Sequence, residues 1–431
     1  MDRYRHGDLT GWLALAAGAL LLLAAGRWVV AGQLGEAAAT GSRDTVATPA
    51  RLGPALARRC PAPTPARADA RHPGPPAPVA SEVASFRETP QRTGAAATGG
   101  PAGRPAVRWR ATGLAVVFSS PVAAGKLVVV GGGDGGVHAV EAATGRPAWG
   151  FATGGPVDAS PAVAGQTVYS TSADGNLYAL DLASGALRWC LAIDAGLSSP
   201  AVAGGLVVVS SRGGTLYGIS AYGVSAADGR VLWQRRVGAS RQASPAVAGG
   251  VVYAGGGDGT LHALDLATGK PRWRFQGDGS IAACPVVGDG MVYAVDLTGT
   301  LHALTADRGV RRWQQHVGVA GQVLIASPAL ARGVLYLAAD GGLLAVDAAS
   351  GRTVWRRPGI GAVSSPTVAA GTVYVGSGDG HLHAVGAADG RPRWRVRLGG
   401  GVHSTPAVRD GAVYVGGGAG GLYALGEPPS H

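Results

Sequence analysis

The sequence is poor in cysteine, and the three cysteines that it has form no recognisable framework. Cys60, Cys190 and Cys284 are an odd, widely spaced set in 431 residues, whereas a protein held together by disulfides carries several paired cysteines. No CxxC pair or Cys/His ligand spacing that would predict a zinc site is present. Cys190 and Cys284 fall in different sequence repeats, which argues against a bridge between them. We therefore expect three isolated thiols.

Charged residues are scarce, and the positive charge is dispersed. Only 15% of the residues are charged while 46% are apolar, which excludes an intrinsically disordered chain. The net charge of +11 comes without a run of Lys or Arg and without a basic-aromatic stripe, whereas nucleic-acid-binding proteins concentrate such charge on one surface. We therefore expect no nucleic-acid partner. The 73 glycines exclude a mainly helical protein and favour short strands joined by tight turns.

The N-terminal quarter of the chain divides into a hydrophobic segment and a linker of biased composition. Residues 9–31 are apolar apart from one Arg, and their length predicts a transmembrane helix or a signal segment. Residues 1–8, with Arg3 and Arg5, are expected to stay in the cytoplasm. Residues 32–105 are rich in Ala, Pro, Gly and Arg, which predicts a disordered linker because little apolar surface could offset its ordering entropy.

Both interpretations of the hydrophobic segment send the rest of the chain across the membrane. An uncleaved segment would make a single-pass cell-membrane protein with an extracytoplasmic domain, whereas cleavage would make a secreted protein. We expect the first of these.

Two markers recur in phase through the rest of the chain and reveal eight repeats. The tryptophans recur at a nearly constant interval, at Trp109, Trp149, Trp189, Trp233, Trp273, Trp313, Trp355 and Trp394. A proline after a small residue recurs with them, at Pro121, Pro161, Pro200, Pro245, Pro285, Pro328, Pro366 and Pro406. A period of about 40 residues is typical of β-propeller blades.

The fourth repeat shows how one blade is built. Its alternating apolar residues and Gly-containing turns predict strands at Ser244–Ala248, Val251–Gly255, Leu261–Asp265 and Pro271–Phe275. Asp258-Gly259 is a good two-residue hairpin turn, because Gly tolerates a positive φ. Four short antiparallel strands in one repeat make one propeller blade.

The ends of the repeat array predict how the ring closes. The eighth repeat stops after its third strand, near Leu425, while a surplus strand around Trp109 precedes the first complete repeat. If that strand completes the eighth blade, no sheet edge is left to aggregate. We therefore predict an all-β fold, an eight-bladed propeller over residues 106–427 with a short tail at 428–431.

The repeats resemble the pyrroloquinoline-quinone-type (quinoprotein-like) β-propeller family. The family's tryptophan-docking motif, AxDxxTGxxxW, is complete in Ala263–Trp273 and nearly complete in three other repeats, Ala139–Trp149, Ala179–Trp189 and Ala345–Trp355. Phe86–Gly94 (FRETPQRTG) is similar to the lead-in of bacterial extracytoplasmic members. The resemblance implies that the eight tryptophans pack between blades. It also points to the non-enzymatic subgroup that includes an outer-membrane assembly lipoprotein, and so to protein or cell-envelope partners.

The enzymes of this family differ from the chain in their chemistry. The resemblance implies that a quinoprotein dehydrogenase would need a calcium site with Glu, Asn and Asp ligands and often two adjacent cysteines. Here Asn176 is the only asparagine, and no cysteines are adjacent. We therefore expect no enzyme activity, no cofactor and no metal, and a monomeric propeller that binds proteins. A quinoprotein-type oxidoreductase and a small-ligand sensor at the channel mouth remain the alternatives.

Two irregularities in the repeats are candidate binding positions. The residue three places before each Pro varies from blade to blade, and there Asp158, Gln242 (beside Arg241) and His403 are polar. Variable positions on a repeated scaffold are where recognition can be placed. The third repeat also contains an insertion around Tyr222, which predicts a contact loop.

Two other repeated features are expected to be structural. The Asp-Gly pairs at 134, 174, 258, 340 and 379 fit hairpin turns better than calcium loops. One repeat position holds a histidine in four blades and a tyrosine in three others, which favours a packing role over a metal ligand; its members are His138, His262, His302, His383, Tyr178, Tyr217 and Tyr423.

Overall fold

The fold was analysed in a computed structural model of the chain. The described residues are 45–47, 60, 62, 83–85, 87–116, 118–220, 229–238, 243–318, 326–418 and 420–427, all within the compact unit Asp44–His431. Over these residues, no helix has the length and apolar character needed to cross a membrane. The predicted hydrophobic segment at 9–31 and the predicted tail at 428–431 lie outside the described residues.

The strands form eight sheets, each built on four antiparallel strands, which confirms the predicted eight-bladed propeller. Two short strands come first, β1 (Thr45–Ala47) and β2 (Val83–Ser85), followed by β3 (Ala106–Ala111). Blade 1 holds β4 (Val122–Ala124), β5 (Leu127–Gly131), β6 (Gly136–Glu141) and β7 (Pro147–Ala152). Blade 2 holds β8 (Ala162–Ala164), β9 (Thr167–Thr171), β10 (Asn176–Asp181) and β11 (Leu187–Ala192). Blade 3 holds β12 (Ala201–Ala203), β13 (Leu206–Ser210), β14 (Thr215–Ser220) and β15 (Val231–Arg236).

The remaining blades repeat the same order. Blade 4 holds β16 (Ala246–Ala248), β17 (Val251–Gly255), β18 (Thr260–Asp265) and β19 (Pro271–Gln276). Blade 5 holds β20 (Val286–Gly288), β21 (Met291–Val295), β22 (Thr300–Thr305) and β23 (Arg311–His316). Blade 6 holds β24 (Ala329–Ala331), β25 (Val334–Ala339), β26 (Gly342–Asp347) and β27 (Thr353–Arg357). Blade 7 holds β28 (Thr367–Ala369), β29 (Thr372–Gly376), β30 (His381–Gly386) and β31 (Pro392–Arg397). Blade 8 holds β32 (Ala407–Arg409), β33 (Ala412–Gly417) and β34 (Gly421–Gly426), with β3 as its outer strand.

The eighth blade closes the ring as the sequence predicts. Strand β3 pairs antiparallel with β34, and Trp109 lies opposite Ala424. The innermost strands β32 and β4 contact each other across this seam. Strand β1 adds a parallel fifth strand outside β3, so the outer edge of this blade is also covered.

Seven of the eight tryptophans lie against a glycine of the next blade. Trp109 is 1% exposed, and its indole N–H donates to the carbonyl of Ala142, in blade 1, at 2.9 Å. A Cβ on Gly145, which has φ +70°, would lie 2.6 Å from the Trp109 ring. The motif glycine therefore gives the preceding blade's indole a surface on which to lie. The same indole-to-carbonyl bond recurs from Trp149, Trp233, Trp273, Trp313 and Trp355.

A belt of hydrogen bonds also joins the blades around the channel. The residue before each proline is Ser or Thr in seven blades and Cys284 in blade 5. Six bonds of this hydroxyl belt run from a backbone N–H to the hydroxyl of the next blade, at 2.9–3.0 Å: Ser120 to Ser160, Ser160 to Ser199, Ser199 to Ser244, Cys284 to Ser327, Ser327 to Ser365, and Thr405 to Ser120. The last of them crosses the seam between blades 8 and 1.

Two predictions about the N-terminal part are wrong. Cys60 and Cys190 form a disulfide, while Cys284 remains a buried free thiol. Isolated thiols were expected because a bridge between two repeats was improbable. The disulfide instead joins Cys60, which lies before the repeats, to Cys190 in strand β11. The disordered linker predicted to reach residue 105 also ends too late, because residues 87–105 belong to the folded unit and bury Arg87 and Arg92.

Candidate functional site

One mouth of the central channel carries the variable positions. The loop that enters each innermost strand is fixed between two hairpins, as in blade 2, where Val157 N donates to Gly132 O at 3.0 Å and Ala173 N donates to Pro156 O at 2.8 Å. These bonds place the loops and the hairpins between second and third strands on the same side. We call this side, with its loop positions 118, 158, 197, 282, 363 and 403, the mouth face.

The mouth face presents apolar and polar side chains together. Phe118 is 45% exposed and Leu197 is 39% exposed, and the Phe118 ring lies 5.8 Å from that of His403. Burial raises the pKa of Asp158 and lowers that of His403, so in each case it favours the neutral form. Arg241, Gln242 and Tyr222 lie outside the described residues. The sequence analysis singled out the polar residues among the variable loop positions. The exposure of Phe118 and Leu197 at the same positions could not be inferred from their residue types.

The channel itself is occupied by the chain that precedes the propeller. Strand β2 pairs with β8 on the inner edge of blade 2. From there residues 87–100, the channel segment, follow the innermost strands around the ring. Carbonyls of the segment accept hydrogen bonds from inner-strand N–H groups in four consecutive blades, in the pairs Pro90 with Val247, Gln91 with Val287, Thr93 with Leu330, and Gly94 with Val368. The segment thus satisfies N–H groups that these edge strands would otherwise expose.

Two buried arginines hold the channel segment in place. Arg92 is fully buried; its Nε donates to Pro245 O at 3.1 Å, and its Nη2 donates to Ser199 O and Pro200 O at 2.9 Å. Arg87 donates to Pro328 O. Burial lowers the pKa of Arg92 to about 10 and that of Arg87 to about 9, so both remain charged at neutral pH. The recurrent prolines therefore supply carbonyls that receive a buried guanidinium.

A cavity of about 380 Å³ lies between the channel segment and blades 8 and 1. Its lining includes Glu88, Arg87 and Arg409. Burial raises the pKa of Glu88 to about 7, although the Val408 amide, which donates to its Oε1, and Arg409 oppose this shift. A calcium-bound quinone needs several anionic and amide oxygen ligands. Among the described residues that line the cavity, Glu88 is the only carboxylate and there is no amide side chain, so this site does not fit that group.

The histidine and tyrosine position in the third strands meets the Asp of the preceding hairpin. His138 Nε2 lies 3.0 Å from Asp134 Oδ2 in blade 1, and the Tyr178 hydroxyl donates to Asp174 Oδ2 at 2.6 Å in blade 2. In these two blades the ring tip therefore holds the hairpin carboxylate. Blade 7 differs, because His383 Nε2 is buried and has no hydrogen-bond partner among the described residues.

The fold and its repeats were compared with known proteins. The family profile described as outer membrane protein assembly factor BamB matches residues 133–223, 220–362 and 339–427. No curated protein matches. BamB from Moraxella catarrhalis is 19% identical, with a TM-score of 0.62 over 75% of this chain and 99% of that chain. The computationally designed Ika8 protein is 16% identical, with a TM-score of 0.63 over 73% of this chain and 96% of that one.

A quinohemoprotein alcohol dehydrogenase has the same fold. The enzyme ADHIIG from Pseudomonas putida HK5 is 14% identical, with a TM-score of 0.69 over 80% of this chain and 81% of that one. At these identities the likeness to solved structures shows the fold alone. One fold therefore serves a named assembly factor, a designed protein and an oxidoreductase, and the function of this chain must be argued from its own residues.

Proposed function

Because the chain belongs to the outer membrane protein assembly factor BamB family, we propose that it is a non-catalytic scaffold that binds a protein partner of the cell envelope. The observation that carries this proposal is the mouth face, where Phe118 and Leu197 are exposed beside the partly buried His403 and Asp158. Exposed apolar side chains with a polar surround are typical of protein interaction sites.

The filled channel supports the same proposal. The channel segment and its two buried arginines occupy the inside of the ring, which leaves less of that space for a cofactor. The cavity between the channel segment and blades 8 and 1 offers one carboxylate, that of Glu88, and no amide side chain among the described residues. The mouth face carries the positions that vary from blade to blade, and such positions on a repeated scaffold are where recognition can be placed.

We further propose that the propeller is extracytoplasmic and attached to the cell membrane by residues 9–31. The disulfide between Cys60 and Cys190 supports this placement, because disulfides persist in oxidising compartments and are rare in the cytosol. Alkylation of intact cells before denaturation tests it. When the chain is then unfolded without reductant, we expect one thiol per chain to react with the alkylating reagent, that of Cys284. After reduction we expect three, because Cys60 and Cys190 are released. Three thiols in both conditions would contradict the extracytoplasmic placement.

The partner-binding surface can be tested by crosslinking in intact cells. The double variant Phe118→Ser, Leu197→Ser should lose the crosslinked species that the wild-type chain forms, because it removes the apolar part of the mouth face. Val310→Ser is the matched control, since Val310 is 54% exposed but follows a turn between third and fourth strands, outside the mouth face. Equal crosslinking by the double variant and the control would overturn the assignment of this face.

The oxidoreductase alternative has a separate test. The purified full chain is incubated with pyrroloquinoline quinone and Ca²⁺ and then assayed for dye-linked oxidation of alcohols and sugars. We expect no turnover above a heat-denatured sample, because the cavity between the channel segment and blades 8 and 1 lacks the required ligands. Turnover that depends on both additions would defeat the scaffold proposal. The small-ligand alternative predicts thermal shifts that Asp158→Ala and His403→Ala both abolish.

A further inference from the structure

Blade 7 places two histidines and an aspartate together on the mouth face. Asp379 and Gly380 form the hairpin turn between β29 and β30, and His381 and His383 begin strand β30. Residues two apart on a strand point to the same side, so the two imidazoles are neighbours, with ring centroids 5.8 Å apart. One ligand atom of each of the three residues lies within 4.8 Å of the others.

The three side chains converge without satisfying one another. His381 Nδ1 lies 3.1 Å from Asp379 Oδ1, yet this nitrogen has no partner with hydrogen-bond geometry among the described residues, and neither does the buried Nε2 of His383. A tetrahedral zinc ion with ligands at about 2.0–2.1 Å holds its ligand atoms roughly 3.4 Å apart. Small side-chain rotations would bring the present separations to that value.

Neighbouring groups prepare the three residues for a cation. Asp379 Oδ1 accepts hydrogen bonds from the Ser377 hydroxyl and the His381 amide. These hydrogen bonds hold the Asp379 carboxylate beside the imidazole of His381. His383 also lines a cavity of about 320 Å³, whereas Asp379 and His381 do not.

Equivalent hairpins in other blades lack at least one of the three groups. Blade 1 has Gly136, blade 2 has Asn176 and blade 4 has Thr260 where blade 7 has His381. In blades 1 and 2 the ring tip is also engaged by the hairpin Asp. The cluster of Asp278, Asp296 and His302 in blade 5 differs as well, because His302 Nε2 is paired at 2.8 Å with Asp296, which also accepts bonds from Thr298 and Thr300.

We propose that Asp379, His381 and His383 form a binding site for a divalent transition-metal ion that favours imidazole ligands, such as Zn²⁺, with water completing the coordination. Imidazole and carboxylate together suit Zn²⁺ and its neighbours in the first row better than Ca²⁺ or Mg²⁺. Arg395 and Arg397 pair with the two histidines on the adjacent strand, and their positive charge weakens the site. We therefore expect micromolar affinity. The water-bound positions leave the ion open to a further ligand from outside.

The test titrates Zn²⁺ into the untagged full chain after removal of metals by a chelator, followed by calorimetry and by the visible spectrum of the Co²⁺ form. We expect one ion per chain and a tetrahedral Co²⁺ spectrum. Two loss variants copy residues that other blades carry at the same positions: His381→Thr as in blade 4, and His383→Tyr as in blade 2. Each should weaken binding roughly tenfold or more while the thermal midpoint without metal changes little.

A variant that gains a metal site keeps the proposal testable even if the two loss variants misfold. Thr260→His in blade 4 turns residues 258–262 into the same five-residue sequence as 379–383, and it should add a second metal ion per chain. Wild-type binding that is absent, or that persists unchanged in both loss variants, would overturn the proposal. So would a gain variant that keeps its thermal midpoint but binds no second ion. None of these outcomes depends on whether a protein partner binds the mouth face.

Discussion

The outer rim of the propeller and its central channel are built on different principles. At the rim, one contact is repeated around the ring, with an indole against a glycine and a carbonyl of the next blade. In the channel, a single segment makes different contacts with successive blades, and two arginines reach carbonyls of three of them. The rim spreads its stability over many equal parts, whereas the channel concentrates it in a few residues without a second copy.

The rim contact at the seam is expected to matter most. Trp109 is 1% exposed while Trp273 is only partly buried, and Trp109 belongs to the strand that closes the ring. Trp109→Ala should lower the free energy of unfolding by about 3–5 kcal/mol, and by more than Trp273→Ala, in denaturant titrations. Trp109→Phe serves as the control and should recover part of the loss. Equal losses at the two positions would show that the seam is no different from any other blade junction.

The channel is tested by Arg92→Met, which keeps the side chain long but removes the charge. Three carbonyls, of Ser199, Pro200 and Pro245, would lose their donor, at a cost of about 3 kcal/mol. We expect limited proteolysis to cut the chain within residues 87–100 at a higher rate. The exposed Arg104 provides the control variant Arg104→Met. If both variants are cut as slowly as the wild type, Arg92 does not hold the channel segment.

A pH titration distinguishes the channel from the rim. The pKa of Glu88 is raised to about 7 from an ordinary 4.5, so the folded chain binds this proton more tightly than the unfolded chain does. The corresponding stability is present below pH 4.5 and is lost as the pH rises through about 7. Thermal midpoints of the wild type should therefore fall across this window relative to those of Glu88→Gln, whose amide oxygen can still accept the Val408 N–H. Parallel pH profiles would contradict the raised pKa.

The smallest effect separates two glycines of positive φ. A Cβ on Gly309 (φ +68°) would lie 2.5 Å from the ring of Trp273, whereas one on Gly249 (φ +54°) would meet nothing within 4 Å. Gly249→Ala should cost about 1 kcal/mol for the backbone conformation alone. Gly309→Ala should cost more, because the indole must also move. Chemical denaturation of both variants measures the difference, and equal costs would mean that the rim tolerates displacement of its tryptophans.

The same contrast explains what could be predicted from the sequence. The blades and the closing strand could be predicted because Trp and Pro recur in every repeat, and a repeated signal needs no knowledge of distant contacts. The channel segment could not, since Arg92 lies in a Pro- and Ala-rich stretch and its partners at Ser199 and Pro245 belong to blades 3 and 4, far along the chain. The composition of a segment describes its average character. Burial of the Arg92 guanidinium depends instead on where blades 3 and 4 place their carbonyl groups.

The candidate site divides in the same way. Asp158 and His403 were predicted as candidates because they are polar at a position that varies from blade to blade, but the exposure of Phe118 depends on loop geometry that no periodicity reveals. The disulfide was missed because Cys60 has no counterpart in the repeats. His383 occupies the repeat position for which a packing role was predicted, and His381 is an additional histidine in the same hairpin. Only the short distances among Asp379, His381 and His383 indicate a joint role.

The split eighth blade has a consequence for biosynthesis. Trp109 pairs opposite Ala424, and seven complete blades separate the two residues along the chain, so strand β3 leaves the ribosome long before its partner exists. Folding dominated by contacts so distant in sequence is slow, and the half-made ring exposes sheet edges throughout synthesis. The channel segment is made earlier still, and the growing blades must assemble around it. The chain therefore depends on strand β34, and premature termination before Gly421 would leave every earlier blade without a closed ring.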